Sequence, residues 1–328
     1  MLTHSSGLIQ GRVVETLNEI LTRFQAKIQK LDSERDEGRR RDGPIGRRPR
    51  LLPDRHPIGD FFVADILEWA LKDDRHSMEH PFFSLSKNPD RRIRHYEHNG
   101  LHVTVAPSAY GLATIWDKDV LIYAVSQLVE ALNQGRTISR TVHLKAYDLL
   151  VATNRHTGGR SYERLKEAFR RLRGTTIETD IPTNGVRINR GFGLIDGWKI
   201  IEKSKDGRMV AVELNLSEWL YNAVLAREVL TLDRDYFRLD GGLERRLYEL
   251  ARKHCGNQPH WAVSMELLHK KSGSTDMLKR FRAAVKQLVL ADTLPGYRLR
   301  YEPDSDQVTF YTKDAKKLAA NLTGQLSA

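Results

Sequence analysis

The 328-residue chain has a single cysteine, Cys255, and so can form no internal disulfide. That suits a reducing compartment, and a cytoplasmic protein is expected. Late in a helical pattern, Cys255 reads as a small packed residue rather than a nucleophile. No apolar run approaches the roughly 20 residues that span a bilayer. The N-terminus, MLTHSSGLIQGRVVETLNEI, lacks a basic region followed by an apolar core, so neither a secretory leader nor a membrane partner is expected. A phosphate-cradling loop is also missing. The nearest string, NRHTGGRS, has Asn154 where the first glycine of such a loop belongs and Arg160 where its lysine belongs. Histidine pairs occur in HYEH (His95, His98) and HSMEH (His76, His80), and only the second has a spacing that could hold a metal on one helix face. Pro81 follows it at once and no third ligand is near, so these histidines are expected on loops or the surface. Asp233 and Asp235 in LDRDY read as helix caps or flanks. With no nucleophile–base pair either, the expectation is a non-enzyme with no cofactor and no metal.

What the chain does have is positive charge: a formal net charge of +11 and a pI near 9.7, with charged residues at 29%. An excess of this size on a mixed-charge surface suits a polyanionic partner. Residues 8–31 are helix-like, with Val14, Leu17, Leu21, Phe24, Ile28 and Leu31 spaced alternately by three and four. Such a seam could pair with itself, dock on a partner or lie on the protein's own core. SERDEGRRRDGPIGRRPRLLPDRHPIGD then loses all periodicity and reads as a flexible basic linker. These parts make up residues 1–58.

The expected fold class is α+β: tandem winged helix-turn-helix domains at 59–228 and 229–314, preceded by the N-terminal helix and linker and followed by a tail at 315–328. In the first domain, a short helix near Asp60 leads to a hairpin marked by Asn99-Gly100. A helix over Lys118–Asn133, the segment RTVHL, the helix LKAYDLLVATN and the loop NRHTGG follow. GGRSYERLKEAFRRLRG (158–174) is then an amphipathic helix, with Tyr162, Leu165, Phe169 and Leu172 on one face and arginines on the other. After the β-rich TTIETDI, a hairpin turns at a DG, and SEWLYNAVL is capped by Ser217. The second domain repeats the order without repeating the sequence. Its helix LDGGLERRLYELARKHC is followed by HWAVS, a helix capped by Ser264, the helix TDMLKRFRAAVKQLVLADTL and the hairpin YRLRYEPDSDQVTFYTK.

One basic helix face is an ordinary solvated surface; the same object built twice in one order points to double-stranded DNA, with each basic helix in a major groove. Helix N-termini place Arg160, Ser161, Arg164, Thr275 and Lys279 at the bases, although Ser161 and Thr275 could instead meet the backbone. Arg170, Arg171, Arg173, Arg282 and Lys286 are expected on phosphates. Lys166 and Arg280 on the same helices, and Arg298 and Arg300 on the first strand of the last hairpin, complete the expected DNA-binding set.

At RHTGGRSYERLKEAFRRLRGTTIETDI the sequence resembles the replication initiator protein A family of plasmids, a likeness that extends from about Asp60 to Asp314. The resemblance implies a plasmid replication initiator that binds short origin repeats (iterons), helps open adjacent AT-rich DNA and brings in the host initiator and replicative helicase. It also implies a dimer that binds repeats as a monomer and represses its own gene as a dimer. The competing expectation is a winged-helix transcription repressor with no replication role, since the fold alone does not separate the two.

Overall fold

The computed structural model describes residues 50–56, 70–98, 100–180, 190–202, 209–256 and 258–314. The heptad-spaced segment, the linker before Arg50, most of the helix near Asp60, the DG turn and the tail lie outside these residues.

The chain enters through β1 (Lys72–Asp74) and the short helix α1 (Arg75–Glu79), then forms the hairpin β2 (Arg94–His98) and β3 (Leu101–Ala106). His98 pairs with Leu101, which leaves a two-residue turn; Gly100 has φ +71° there, a conformation open to glycine without strain. α2 (Lys118–Asn133), β4 (Thr141–Lys145), α3 (Ala146–Ala152) and α4 (Gly159–Gly174) follow. β5 (Thr176–Thr179) turns back to β3 and, with β6 (Arg190–Gly193), builds the sheet order β2-β3-β5-β6. Next come the hairpin β7 (Ile195–Glu202) and β8 (Met209–Leu216), the helix α5 (Glu218–Leu225) and β9 (Val229–Thr231). The remainder is α6 (Gly242–His254), β10 (His260–Ser264), α7 (Met265–Ser272), α8 (Leu278–Ala291) and the hairpin β11 (Tyr297–Glu302) and β12 (Gln307–Thr312).

Two stretches share one plan. The strand before the shorter helix pairs with the last strand of the hairpin that follows the longer helix. The sheet order is β4-β8-β7 in one stretch and β10-β12-β11 in the other, antiparallel throughout. Serine starts two helices as its hydroxyl geometry favours: Ser217 Oγ accepts from Leu220 N, and Ser264 Oγ from Leu267 N.

Each stretch has its own apolar core. Leu149 and Leu150 of α3, Leu165, Phe169 and Leu172 of α4, and Val212 and Leu214 of β8 fill the first. Leu247 and Leu250 of α6, Phe281, Val285 and Leu288 of α8, and Val308 and Phe310 of β12 fill the second. A fully buried side chain of this size contributes about 1.5–3 kcal/mol. The cores interlock, because Leu71, Met78 and Ile122 from the front of the chain belong to the second. α2 therefore has apolar residues on both sides: Val120, Leu121, Ala124 and Leu128 face the first core and Ile122 the second. β1 pairs with β9, another link from the front of the chain to the later half.

A buried charge network lies along this seam. Lys118 Nζ, at the start of α2, is 2.6 Å from Asp73 Oδ2 and 2.9 Å from Glu249 Oε1 of α6, with all three side chains at most 3% exposed. Glu249 also accepts from Tyr236 Oη (2.8 Å) and Arg246 Nη1 (3.1 Å). Arg246 donates in addition to the carbonyls of Ser77, Met78, Glu79 and Lys271. Beside it, Asp119 takes Arg245 at 2.6 Å and Arg155 at 3.0 Å. Burial pushes the Asp73 carboxyl up to about 7, against the pull of Lys118. Burial also acts to lower the Lys118 ammonium, but Asp73 and Glu249 outweigh it and hold the group above its usual value.

Replacing Lys118 with alanine leaves the buried Asp73 without its cation and Glu249 with Arg246 as its remaining cation, and should cost about 3–5 kcal/mol in urea unfolding. Asp73→Asn, the isostere of the protonated acid, should cost less. The fold holds the Asp73 proton more tightly than the unfolded chain does. Its contribution is therefore complete below about pH 4 and is lost as pH rises through about 7. Asp73→Asn should flatten that part of the stability profile; an unchanged slope would assign the pH dependence to another group.

Candidate nucleic-acid interface

α4 begins where Gly158 and Gly159 leave the helix N-terminus without a side-chain cap. Its apolar stripe, Tyr162, Leu165, Ala168, Phe169 and Leu172, is buried, which turns the opposite face outward. On that face Arg160, Arg164, Arg170 and Arg173 are exposed and have no ion pair with a described residue. Arg170 lies over the Tyr110 ring at 5.4 Å, which orders the guanidinium while leaving its edge open. Ser161 is half-buried in the first turn.

Two cations on α4 have other partners. Lys166 is held between Glu163 (3.4 Å) and Glu202 of β7 (3.2 Å), tying the helix to the hairpin. Arg171, expected on phosphate, is gripped by both oxygens of Asp117, at 2.7 and 2.8 Å, with a side chain only 17% exposed. A two-pronged carboxylate contact of this kind satisfies the guanidinium fork internally.

α8 differs from its expected extent. It starts at Leu278, with Met277 as N-cap, so the exposed Thr275 precedes the helix instead of standing in its first turn. The cause is local: Ser272 Oγ accepts from Ser274 N and Ser274 Oγ from Asp276 N, turns that compete with helix. Lys279, Arg280 and Lys286 are exposed, and Lys286 sits 4.7 Å from the centre of the Tyr301 ring. Arg282 is bound to both oxygens of Asp306, at 3.0 and 2.8 Å, and holds that carboxyl below the usual carboxylate range. Arg298 reaches Asp292 at 3.4 Å, and Arg300 reaches Glu302 at 3.3 Å. On these two helices, the exposed cations with no ion pair to a described residue are thus Arg160, Arg164, Arg170 and Arg173 of α4 and Lys279, Arg280 and Lys286 of α8.

Between the two stretches lies a cleft of about 470 Å³. Ser161, Arg164, Glu167 and Arg171 line it from α4, and Phe237, Leu239, Asp240 and Arg245 line it from the later half. Residues 50–56, expected as part of a flexible linker, are docked at this cleft through Leu52 and Arg55. Composition carried no signal for that docking.

The histidines need a correction. His80, expected on a loop or the surface, is 5% exposed and packs against Phe82 and Tyr96; burial lowers its ring to about 3, so it is neutral. His76 contacts Glu228 at 3.0 Å. Among the described residues, no group of three metal-ligating side chains gathers, and no helix is long and apolar enough to cross a membrane. Asp233 caps the turn Arg234–Arg238 by accepting from Asp235 N, and Cys255 is buried at the end of α6.

Comparison with known proteins adds three findings. The family described as "Replication initiator protein A" matches residues 72–299. A protein of Wigglesworthia glossinidia brevipalpis named "Putative replication protein" is 42% identical over 257 residues, covering 77% of this chain and 93% of that one. Crystal structures of domains 2 and 3 of RctB share the fold at 13% identity. One, of selenomethionine derivatives, covers 73% of this chain and 98% of its own with a TM-score of 0.55; another covers 72% and 96% with a TM-score of 0.50. A match over that much of the chain, on both sides of the cleft, shows that this protein is a member of the replication initiator protein A family.

Proposed function

We propose that this initiator binds origin DNA through two winged helix-turn-helix units. α3 and α4 with the hairpin β7–β8 form one unit, and α7 and α8 with β11–β12 form the other. The observation that carries this reading is the repeated plan: each longer helix buries one face and turns unpaired cations outward, in the same topological position both times. α4 and α8 enter successive major grooves on one face of the duplex. Arg160, Arg164 and Lys279, near the helix starts, meet base edges, with Ser161 at the base or the backbone. Arg170, Arg173, Arg280 and Lys286 meet phosphates. Thr275, ahead of its helix, reaches the backbone.

The family supports the wider reading of a plasmid-borne, cytoplasmic protein that binds tandem repeats (iterons) as a monomer and brings the host initiator and the replicative helicase to the opened origin. As a dimer it represses its own gene. Its work is binding, with no bond made or broken and no cofactor. The test is affinity for the DNA flanking its own gene against random duplex. Preference for a segment with direct repeats supports the initiator reading, preference for one inverted repeat alone supports a repressor, and no preference overturns both.

Two substitutions separate the roles of neighbouring arginines. Arg164→Ala should cost roughly 1–3 kcal/mol on the specific site and leave random duplex nearly unchanged; equal loss on both would remove its base-reading role. Arg170→Ala should weaken all duplexes alike and lower the salt slope by about one. Arg171→Ala should instead lower unfolding stability, by about 1–3 kcal/mol, because it leaves Asp117 without its cationic partner. A change in salt slope with unaltered stability would return Arg171 to the phosphates.

A further inference from the structure

Residues 51–56 make more contacts than a passing linker requires. On one side, Leu51 bridges to Leu239, Leu52 N donates to Arg238 O (2.8 Å), and Arg238 Nε donates to Leu52 O (2.7 Å). On the other side, Arg55 N donates to Asn154 Oδ1 (2.8 Å), and Arg55 Nη1 donates to Asn154 O (2.9 Å). Asn154 Nδ2 donates to Pro53 O (3.2 Å), and His56 Nε2 donates to Arg155 O (2.9 Å). Arg55 Nε also donates to His156 Nε2 (3.2 Å). One side belongs to the later half of the chain. The other is the turn between α3 and α4, whose last residues set where α4 begins.

That turn needs outside support. It is longer than the usual three or four residues of a helix-turn-helix, and Asn154 stands at φ +54°, in the left-handed region that side chains other than glycine seldom adopt. Asparagine tolerates it, and here both ends of its amide are taken by the strap backbone. α4 itself has no side-chain cap to fix its start.

We infer that residues Leu51–His56 are a working part of the first DNA-reading unit: a strap that fixes the α3–α4 turn against the second half, with Arg55 and Asn154 as positioning residues. The inference rests on α4 being a reading helix. The strap is half-exposed, with Pro53 and Asp54 open to solvent, but the Arg55 guanidinium is taken up by Asn154 O and His156 Nε2, so its effect on DNA runs through the placement of Arg160 and Arg164 and not through its own charge.

The test is a hydroxyl-radical footprint of the full chain on its specific site, beside binding to random duplex and urea unfolding. Asn154→Gly deletes both amide bonds, keeps the positive φ and changes no charge. Protection should fade over the half-site that Arg164→Ala also exposes, and persist over the other. The dissociation constant for the whole site should rise about tenfold, the order expected for two lost hydrogen bonds, with random duplex unaffected. Asn154→Asp, which retains the Oδ acceptor for Arg55 N, should recover most of the protection. Arg55→Lys retains the charge and the backbone bond to Asn154 but replaces two separately placed guanidinium donors with one nitrogen, and should show a weaker form of the Asn154→Gly effect. An unchanged footprint in Asn154→Gly would overturn the strap's role. So would parallel loss of both half-sites together with stability, which would make these residues ordinary contributors to folding. A wild-type protein with no specific footprint would overturn the DNA reading itself, a separate outcome.

Discussion

The buried ammonium of Lys118 fixes the arrangement of everything else. An isolated charge in that position would be expelled or neutralised, so the fold must bring carboxylates to it, and it brings one from each side: Asp73 from the first strand and Glu249 from the middle of α6. The next residue, Asp119, does the same with opposite sign, taking Arg245 from the later half and Arg155 from the turn before α4. Two adjacent residues at the start of α2 thus set the relation between the two halves. Apolar contact alone would tolerate small slips along the seam. Charges buried with so few alternative partners penalise any slip that separates them. On the proposed two-helix reading of DNA, a seam pinned by these charges would join two weak contacts into one geometrically defined contact.

The same chemistry sorts the surface arginines. An arginine matched to a carboxylate by both of its prongs has its fork satisfied inside the protein, as with Arg171 on Asp117 and Arg282 on Asp306. Arginines that face solvent with no acid nearby keep their donors for another molecule. Within α4 these two kinds occupy adjacent positions, Arg170 and Arg171, and only the second faces Asp117. The basic excess of the whole chain does not tell which arginine keeps its donors free; the placement of the acids does.

Much of this was legible in the sequence. Asn99-Gly100 placed a hairpin, Ser217 and Ser264 placed helix starts, and the apolar spacing in 158–174 identified which face of α4 is buried. These are local signals, set by dihedral preference and period, and they survive folding. Four features were not legible. The Arg171–Asp117 clamp joins residues 54 positions apart, and periodicity reveals a face but never its partner. The docking of residues 51–56 depends on backbone hydrogen bonds that composition does not encode. The true start of α8 was hidden because TDML reads as helix, until Ser272 and Ser274 bond to the backbone ahead of it. His80 is a fourth case: its spacing from His76 suggested exposure or metal, while the aromatic rings that bury it come from elsewhere in the fold.

The measurement that bears most directly on the central claim is a hydroxyl-radical footprint of the full protein over the DNA beside its own gene. Two helices held in fixed relation by the Lys118 seam should protect two tracts on one face of the duplex, about one helical turn apart, and both tracts should appear at the same protein concentration. A single protected tract, or two that fill at different concentrations, would mean that the two halves do not read DNA as one rigid unit.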